Sequence, residues 1–248
     1  MCLLTFSFQP GAERNLVLVA NRDEFHQRPT RIMAWADGWL AGRDEQAGGT
    51  WLALARDGRW AALTNVRGPG GPSGSSSRGE LALDYLASAR HPSQWAQEVA
   101  ARRARYAPFN LLLGGRDEVW YVGSREAPQP VSAGVHALSN GRLDEPWPKS
   151  RRAAVALRGQ LDGARQIDPE RLLNLMYDTT GAADHELPDT GVGLELERFL
   201  SPPFIIGEDY GTRSSTLLII GPSVLACERT FDRKGRLVGQ IEYRFDVA

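Results

Sequence analysis

The order of apolar segments along the chain is the feature that most limits its fold. Short, partly alternating apolar runs, typical of strands, occupy residues 3–8, 16–20, 50–55, 60–64, 109–113, 119–122, 214–220, 224–231 and 238–245. Helical periodicity occupies residues 81–89 and 95–106, and again 151–161 and 169–177. This order lacks the strict alternation of a doubly wound fold. It predicts an α+β fold: a four-layer α/β/β/α sandwich with mainly antiparallel sheets.

Turn residues predict two hairpins. Pro10-Gly11 joins the first two strands, and Asp57-Gly58 joins the next two. The segment before Thr50, rich in arginine, aspartate, glycine and tryptophan, is interpreted as a loop. Residues 68–77, composed of glycine, proline and serine, resemble an interdomain linker. We predict a surface loop instead, because the segments on both sides are needed for one core, so residues 1–248 form a single domain.

Composition excludes several classes of function. The chain has 29 lysines and arginines against 30 aspartates and glutamates, which argues against nucleic acid as a partner. No apolar run reaches the roughly 20 residues that span a bilayer, and no signal peptide is visible, so a cytoplasmic protein is expected. Two cysteines do not make a disulfide framework. The histidines lack metal-ligand spacing, and we predict no metal and no cofactor; they are His26, His91, His136 and His185.

Cys2 is the sharpest candidate for chemistry. Removal of Met1 would leave a free α-amine on the residue that carries the thiol. The reference pKa values, about 7.7–8.0 for the amine and about 8.5 for the thiol, lie close to neutral pH. One residue could then supply both nucleophile and general base. The alternative is that Cys2 is a small hydrophobic residue near the end of a strand.

The cluster Asn21-Arg22-Asp23-Glu24 follows the second predicted strand directly. If the first two strands form a hairpin, this cluster lies beside Cys2. Asp23 could then hold the α-amine, and Arg22 could favour the thiolate by its charge. The alternative is a polar turn with local salt bridges.

Three further polar residues are candidates because each lies at the end of a strand-like segment. Asn65 and Asn140 could donate an amide N–H to a developing oxyanion, although asparagine also ends strands because it tolerates turns. Arg213 lies between a glycine and a late strand, where it could bind a carboxylate or be an ordinary edge charge.

Taken together, the chain resembles the NRDE family, also called the transport and Golgi organisation family. The matching segments keep their order across nearly the whole chain. They are Met1-Cys2, residues 20–25 with Arg28-Pro29, residues 48–52, residues 62–65, residues 78–81, residues 109–111, residues 138–140 with Pro146-Trp147, residues 210–213 and Glu228-Arg229.

That family is similar to the N-terminal-nucleophile (Ntn) hydrolases, closest to the choloylglycine hydrolase and penicillin V acylase branch. The resemblance implies an Ntn-hydrolase-like fold and a site built from Cys2, Asp23, Asn65, Asn140 and Arg213. The hydrolases place an arginine three residues before the aspartate, where this chain has Ala20. Arg22 would take that role from another position.

Two functions are therefore expected, both with a small molecule as substrate or ligand. The first is a cysteine amidohydrolase that acts on a linear amide bond of an N-acyl amide. The second, which the family's link to haem and lipid handling implies, is a non-catalytic carrier of haem or of an acyl, lipid-like anion. Seven tryptophans and several arginines agree with the carrier, although tryptophans more often serve the core.

Overall fold

The computed structural model describes residues 2–69, 74–164 and 166–248. Its strands are β1 (Cys2–Phe8), β2 (Leu16–Phe25), β3 (Thr30–Ala36), β4 (Trp39–Asp44), β5 (Leu52–Ala55), β6 (Trp60–Asn65), β7 (Phe109–Gly114), β8 (Val119–Gly123), β9 (Gln129–Pro130), β10 (Gly134–Leu138), β11 (Tyr210–Ile220), β12 (Ser223–Phe231) and β13 (Leu237–Asp246). Its α-helices are α1 (Glu80–Ala87), α2 (Pro92–Arg102), α3 (Pro148–Leu161), α4 (Pro169–Leu175) and α5 (Leu194–Phe199).

The strands form two antiparallel sheets. The first has six strands in the order β10-β1-β2-β11-β12-β13, and the second has seven in the order β3-β4-β5-β6-β7-β8-β9. All neighbours within the described sheets run antiparallel. The mainly antiparallel arrangement predicted from the segment order is confirmed.

Three hydrophobic cores separate four layers. The largest lies between the sheets, where Leu4 and Phe6 of β1 meet residues such as Trp60 of β6. Helices α1 and α2 cover the outer face of the second sheet. Helices α3 and α4 cover the outer face of the first sheet, where Leu3 and Leu157 are buried. The predicted α/β/β/α sandwich is confirmed, and β1 is buried on both faces because it lies inside two cores.

Both predicted hairpins are present. The β1–β2 pair has Cys2 opposite Arg22 and Phe8 opposite Leu16. The β5–β6 pair turns through Gly58, whose φ of 81° suits a residue without a side chain. The first hairpin determines the site, because its register carries the cluster after Ala20 to the start of β1.

The prediction of a loop before Thr50 is wrong, because this segment contains strands β3 and β4. Strand β3 is at the edge of its sheet and buries only Met33 fully, so its sequence does not show the apolar alternation of a half-buried strand. Helix α5 and strand β9 were also not predicted; both are short. Helix α3 begins at Pro148 rather than residue 151, which brings Lys149 into its first turn.

Residues 70–73 of the predicted surface loop lie outside the described residues. Among the helices that are described, none combines the length and apolar character needed to cross a bilayer.

Two glycines bring separate loops into backbone contact beside the sheet ends. The amide of Thr50 donates to the carbonyl of Gly79 at 3.2 Å. A Cβ on Gly49 would lie 2.6 Å from the Cα of Gly79, and backbone atoms at this distance cannot yield as a flexible side chain could. The loops can approach this closely only because both residues lack side chains.

We therefore expect Gly49→Ala to lower the free energy of unfolding by about 1–3 kcal/mol, the usual cost of overpacking. Gly159→Ala, within helix α3, is the matched control, since its added Cβ would meet nothing within 4 Å. It should raise the free energy of unfolding by about 0.5–1 kcal/mol. Urea unfolding of both variants measures this, and equal stabilities would contradict the close approach.

Candidate active site

A cavity of about 570 Å³ opens where the ends of β1, β2 and β6 converge. Its lining includes Cys2, Arg22, Asp23 and Asn65, four of the six residues predicted from the sequence. Asn140 and Arg213 are not among the lining residues. The cavity therefore gathers residues from both sheets at one end of the sandwich.

Cys2 lies at the start of β1 with 7% of its surface exposed. Its side chain belongs to the face between the sheets, together with Leu4 and Phe6. Burial raises the pKa of the Cys2 thiol, and the charge of Asp23 adds to this, while Arg22 opposes it. The resting sulfur is thus a protonated thiol that needs a base to become a nucleophile.

Arg22 lies directly across from Cys2 in the β1–β2 pair. Its guanidinium is stacked over the ring of Trp51 at 4.6 Å, and Nη1 donates to Oγ1 of Thr30 at 3.1 Å. Glu24 lies 3.6 Å from Nη2. Ala20, where the sequence resemblance implied an arginine, pairs with Leu4 further inside the sheet. Arg22 therefore brings the positive charge to Cys2 from the cross-strand position.

Asp23 follows on the opposite face of β2 and is 1% exposed. Its Oδ1 accepts a hydrogen bond from Oγ1 of Thr212 at 2.7 Å, and its backbone carbonyl accepts one from the hydroxyl of Tyr210 at 3.0 Å. Burial raises the pKa of the Asp23 carboxyl, whereas Lys149 and the Thr212 hydrogen bond lower it. A carboxylate in this position needs nearby positive charge to stay ionised.

The two predicted asparagines lie next to each other but face differently. Asn65 lines the cavity at the end of β6. Asn140 is fully buried, and its Nδ2 donates to the backbone carbonyl of Asn65 at 2.9 Å. The backbone carbonyl of Asn140 accepts a hydrogen bond from the backbone amide of Arg67 at 2.8 Å. Asn140 thus holds the segment that carries Asn65 and Arg67.

Arg213 lies in a bulge of β11, between the residues that pair with Asp23 and Arg22. Its Nη1 donates to the backbone carbonyls of Phe25, His26 and Arg28, at 2.9, 3.3 and 3.2 Å. These contacts brace the turn after β2, which forms part of the cavity rim.

Sequence reasoning missed three charged residues of this region: Arg67, Glu197 and Lys149. Nη1 of Arg67 lies 2.5 Å from Oε2 of Glu197, and both side chains are less than 5% exposed. The Arg67 guanidinium also lies 4.7 Å above the ring of Trp147. Lys149, two residues after Trp147, is 2% exposed. For Lys149, the sequence offered one signal, the rarity of lysine: Lys149 and Lys234 are the only lysines in the chain.

The Arg67–Glu197 pair gives a sharp test of how the cavity wall is held. Arg67→Met should lower the free energy of unfolding by about 3–5 kcal/mol, because it leaves the Glu197 charge buried without its partner. Adding Glu197→Leu should recover most of this loss, apart from about 1 kcal/mol for the bonds that Glu197 accepts from Thr190. Urea unfolding of the single and double variants measures the coupling. Additive losses would contradict a buried ion pair.

Comparison with solved structures supports the fold. A mutant of the conjugated bile acid hydrolase from Clostridium perfringens is similar with a TM-score of 0.54 at 9% identity, covering 98% of this chain and 92% of that chain. A Caenorhabditis elegans ortholog of N-acylethanolamine-hydrolyzing acid amidase gives a TM-score of 0.44 at 10% identity, covering 88% and 92%. The match above a TM-score of 0.5, the bile acid hydrolase, carries the conclusion that the chain has an Ntn-hydrolase fold, as the sequence resemblance implied.

Sequence comparison identifies the family. The Bos taurus Transport and Golgi organization protein 2 homolog is 30% identical over 247 residues, which cover 89% of this chain and 88% of that protein. The Mus musculus homolog is 28% identical with the same coverage. The sequence pattern of the family described as Transport and Golgi organisation 2 matches residues 1–233. The chain therefore belongs to the Transport and Golgi organisation 2 family.

Proposed function

We propose that the protein is an amidohydrolase with Cys2 as its N-terminal nucleophile, acting on the linear C–N bond of an N-acyl amide. The observation that carries the proposal is that Cys2 begins β1 inside a cavity that Arg22, Asp23 and Asn65 also line. A thiol, a cation, a carboxylate and an amide donor are the groups that attack on an amide requires.

The chemistry begins with removal of Met1, which exposes the α-amine of Cys2. This amine takes the proton of the thiol, and the thiolate attacks the carbonyl carbon of the amide. Asn65 donates its amide N–H to the oxyanion, and Arg22 stabilises the negative charge on sulfur. The C–N bond then breaks, and the departing amine takes the proton back from the α-amine. Water attacks the thioester, which releases the carboxylic acid and restores the thiol.

The remaining predicted residues support the nucleophile and the walls of the site. Asp23 orients the α-amine of Cys2. Asn140 fixes Asn65 through the hydrogen bond to its carbonyl. Arg213 holds the turn after β2 through three backbone carbonyls, so its role in this proposal is to shape the rim. We also propose a cytoplasmic location, which the free thiols of both buried cysteines support.

A pair of cysteine variants tests the proposal. Intact mass of the purified protein should correspond to a chain that begins at Cys2, and Cys2→Ala should reduce turnover of an N-acyl amide panel by at least about a thousandfold. Cys227→Ala is the matched control and should stay within about twofold of wild type. Cys227 is buried in the core beneath α3 and α4, where burial raises the pKa of its thiol to about 11. A retained Met1, or equal turnover by both variants, would refute the proposal.

A second function, non-catalytic binding of haem or an acyl anion, is favoured by the wall of the same cavity. Leu196, Phe199 and Leu200 form an apolar side, while Arg22 and Arg78 add positive charge. Calorimetry with a fatty-acid anion, and absorption titration with haem, should then detect binding to Cys2→Ala. Tight binding by this variant, together with no turnover by the wild type across the panel, would favour the carrier over the enzyme.

A further inference from the structure

The position of Lys149 disfavours a positive charge on its side chain for two reasons. It is one of the largest fully buried side chains, with 2% of its surface exposed, and desolvation penalises an ammonium ion. It is also the second residue of the fourteen-residue helix α3, where the positive end of the helix dipole disfavours cations. Within the described part of the chain, its Nζ has no hydrogen-bond partner. Only nearby negative charge can keep this side chain ionised.

That negative charge comes from the site. Helix α3 packs against β1 and β10, on the same face of the first sheet as Asp23. Burial lowers the pKa of Lys149 to about 8, and Arg67 adds to this, whereas Asp23, Cys2 and Glu197 raise it. In turn, Lys149 is the strongest of the charges that lower the pKa of Asp23. Since Glu197 is already engaged with Arg67, Asp23 and Lys149 each help keep the other ionised.

A free α-amine on Cys2 would enter this cluster as a second cation beside Asp23. Because the amine and Lys149 would then both interact with Asp23, the two cations would titrate as a coupled pair. One carboxylate cannot neutralise two positive charges. Where Lys149 holds its proton, the amine is biased towards its neutral form, which is the form that can act as a base.

We propose that Lys149 is the positioning residue of the nucleophile: its buried ammonium keeps Asp23 ionised and opposes a second positive charge on the α-amine of Cys2, which leaves that amine free to accept the thiol proton. The inference rests on the N-terminal nucleophile proposed above. It adds to the site a residue from the helical layer that does not itself contact the cavity.

The scarcity of lysine and cysteine makes a direct measurement practical. Selective ¹³C labelling gives two lysine and two cysteine signals, and exposed Lys234 and buried Cys227 serve as internal references. In the wild type, the Lys149 signal should titrate near pH 8. Asp23→Asn should move the Lys149 midpoint to lower pH. An unchanged midpoint in this variant would overturn the coupling.

The second measurement follows Cys2 in Lys149→Met, with Lys234→Met as the matched control. The midpoint of the Cys2 amine should rise by about one pH unit in Lys149→Met, and alkylation of the Cys2 thiol at pH 7 should slow by about tenfold. Lys234→Met should change neither. If Lys149 were merely structural, Lys149→Met would alter thermal unfolding but leave the titration midpoint of the Cys2 amine unchanged. That result would overturn the inference.

The two proposals fail in different ways. A retained Met1, detected by mass, overturns the N-terminal nucleophile and this inference together. A removed Met1 with the same Cys2 midpoint in wild type and Lys149→Met overturns only the role of Lys149. The Asp23→Asn titration of Lys149 needs no change at Lys149 itself, so it decides the coupling even if Lys149→Met does not fold.

Discussion

The antiparallel pairing of β1 with β2 is the constraint on which the whole site depends. Its register places Cys2 opposite Arg22 on the face between the sheets and leaves Asp23 on the face towards the helices. Side chains alternate along a strand, so a slip by one residue would exchange these faces. Strand β11 holds β2 from its other side, with Thr212 opposite Asp23 and Ser214 opposite Arg22. The register is therefore fixed from both edges of β2.

The second constraint is the burial of charge. Asp23, Arg67, Lys149 and Glu197 are all nearly inaccessible to solvent, and burial of a charge is costly unless opposite charge lies close by. They come from β2, the segment after β6, and helices α3 and α5. Because the groups come from different layers, they lie close together only in the assembled fold. The breaking of one pair is expected to change the protonation of its neighbours as well as the stability.

The position of Arg22 along β2 decides how its charge reaches Cys2. Ala20, where the resemblance implied an arginine, lies two residues earlier in β2, about 7 Å deeper in the sheet. Here that position pairs with Leu4 and is part of the hydrophobic core. Arg22 instead lies at the strand end, where it reaches the cavity and is stacked over Trp51. Its positive charge therefore approaches Cys2 from the mouth of the cavity.

The sequence by itself determined most of the strands, helices α1 to α4, both hairpins and the meeting of Cys2 with the Asn21–Glu24 cluster, because apolar periodicity and turn residues are local signals. It also predicted the four-layer sandwich. It could not reveal β3, whose single fully buried residue leaves no alternating pattern. Nor could it separate Asn65, which lines the cavity, from Asn140, which holds the Asn65 backbone, since both end strand-like segments. The roles of Lys149, Arg67 and Glu197 were decided only by tertiary structure, because burial and the distance between charges depend on how layers far apart in the chain pack together.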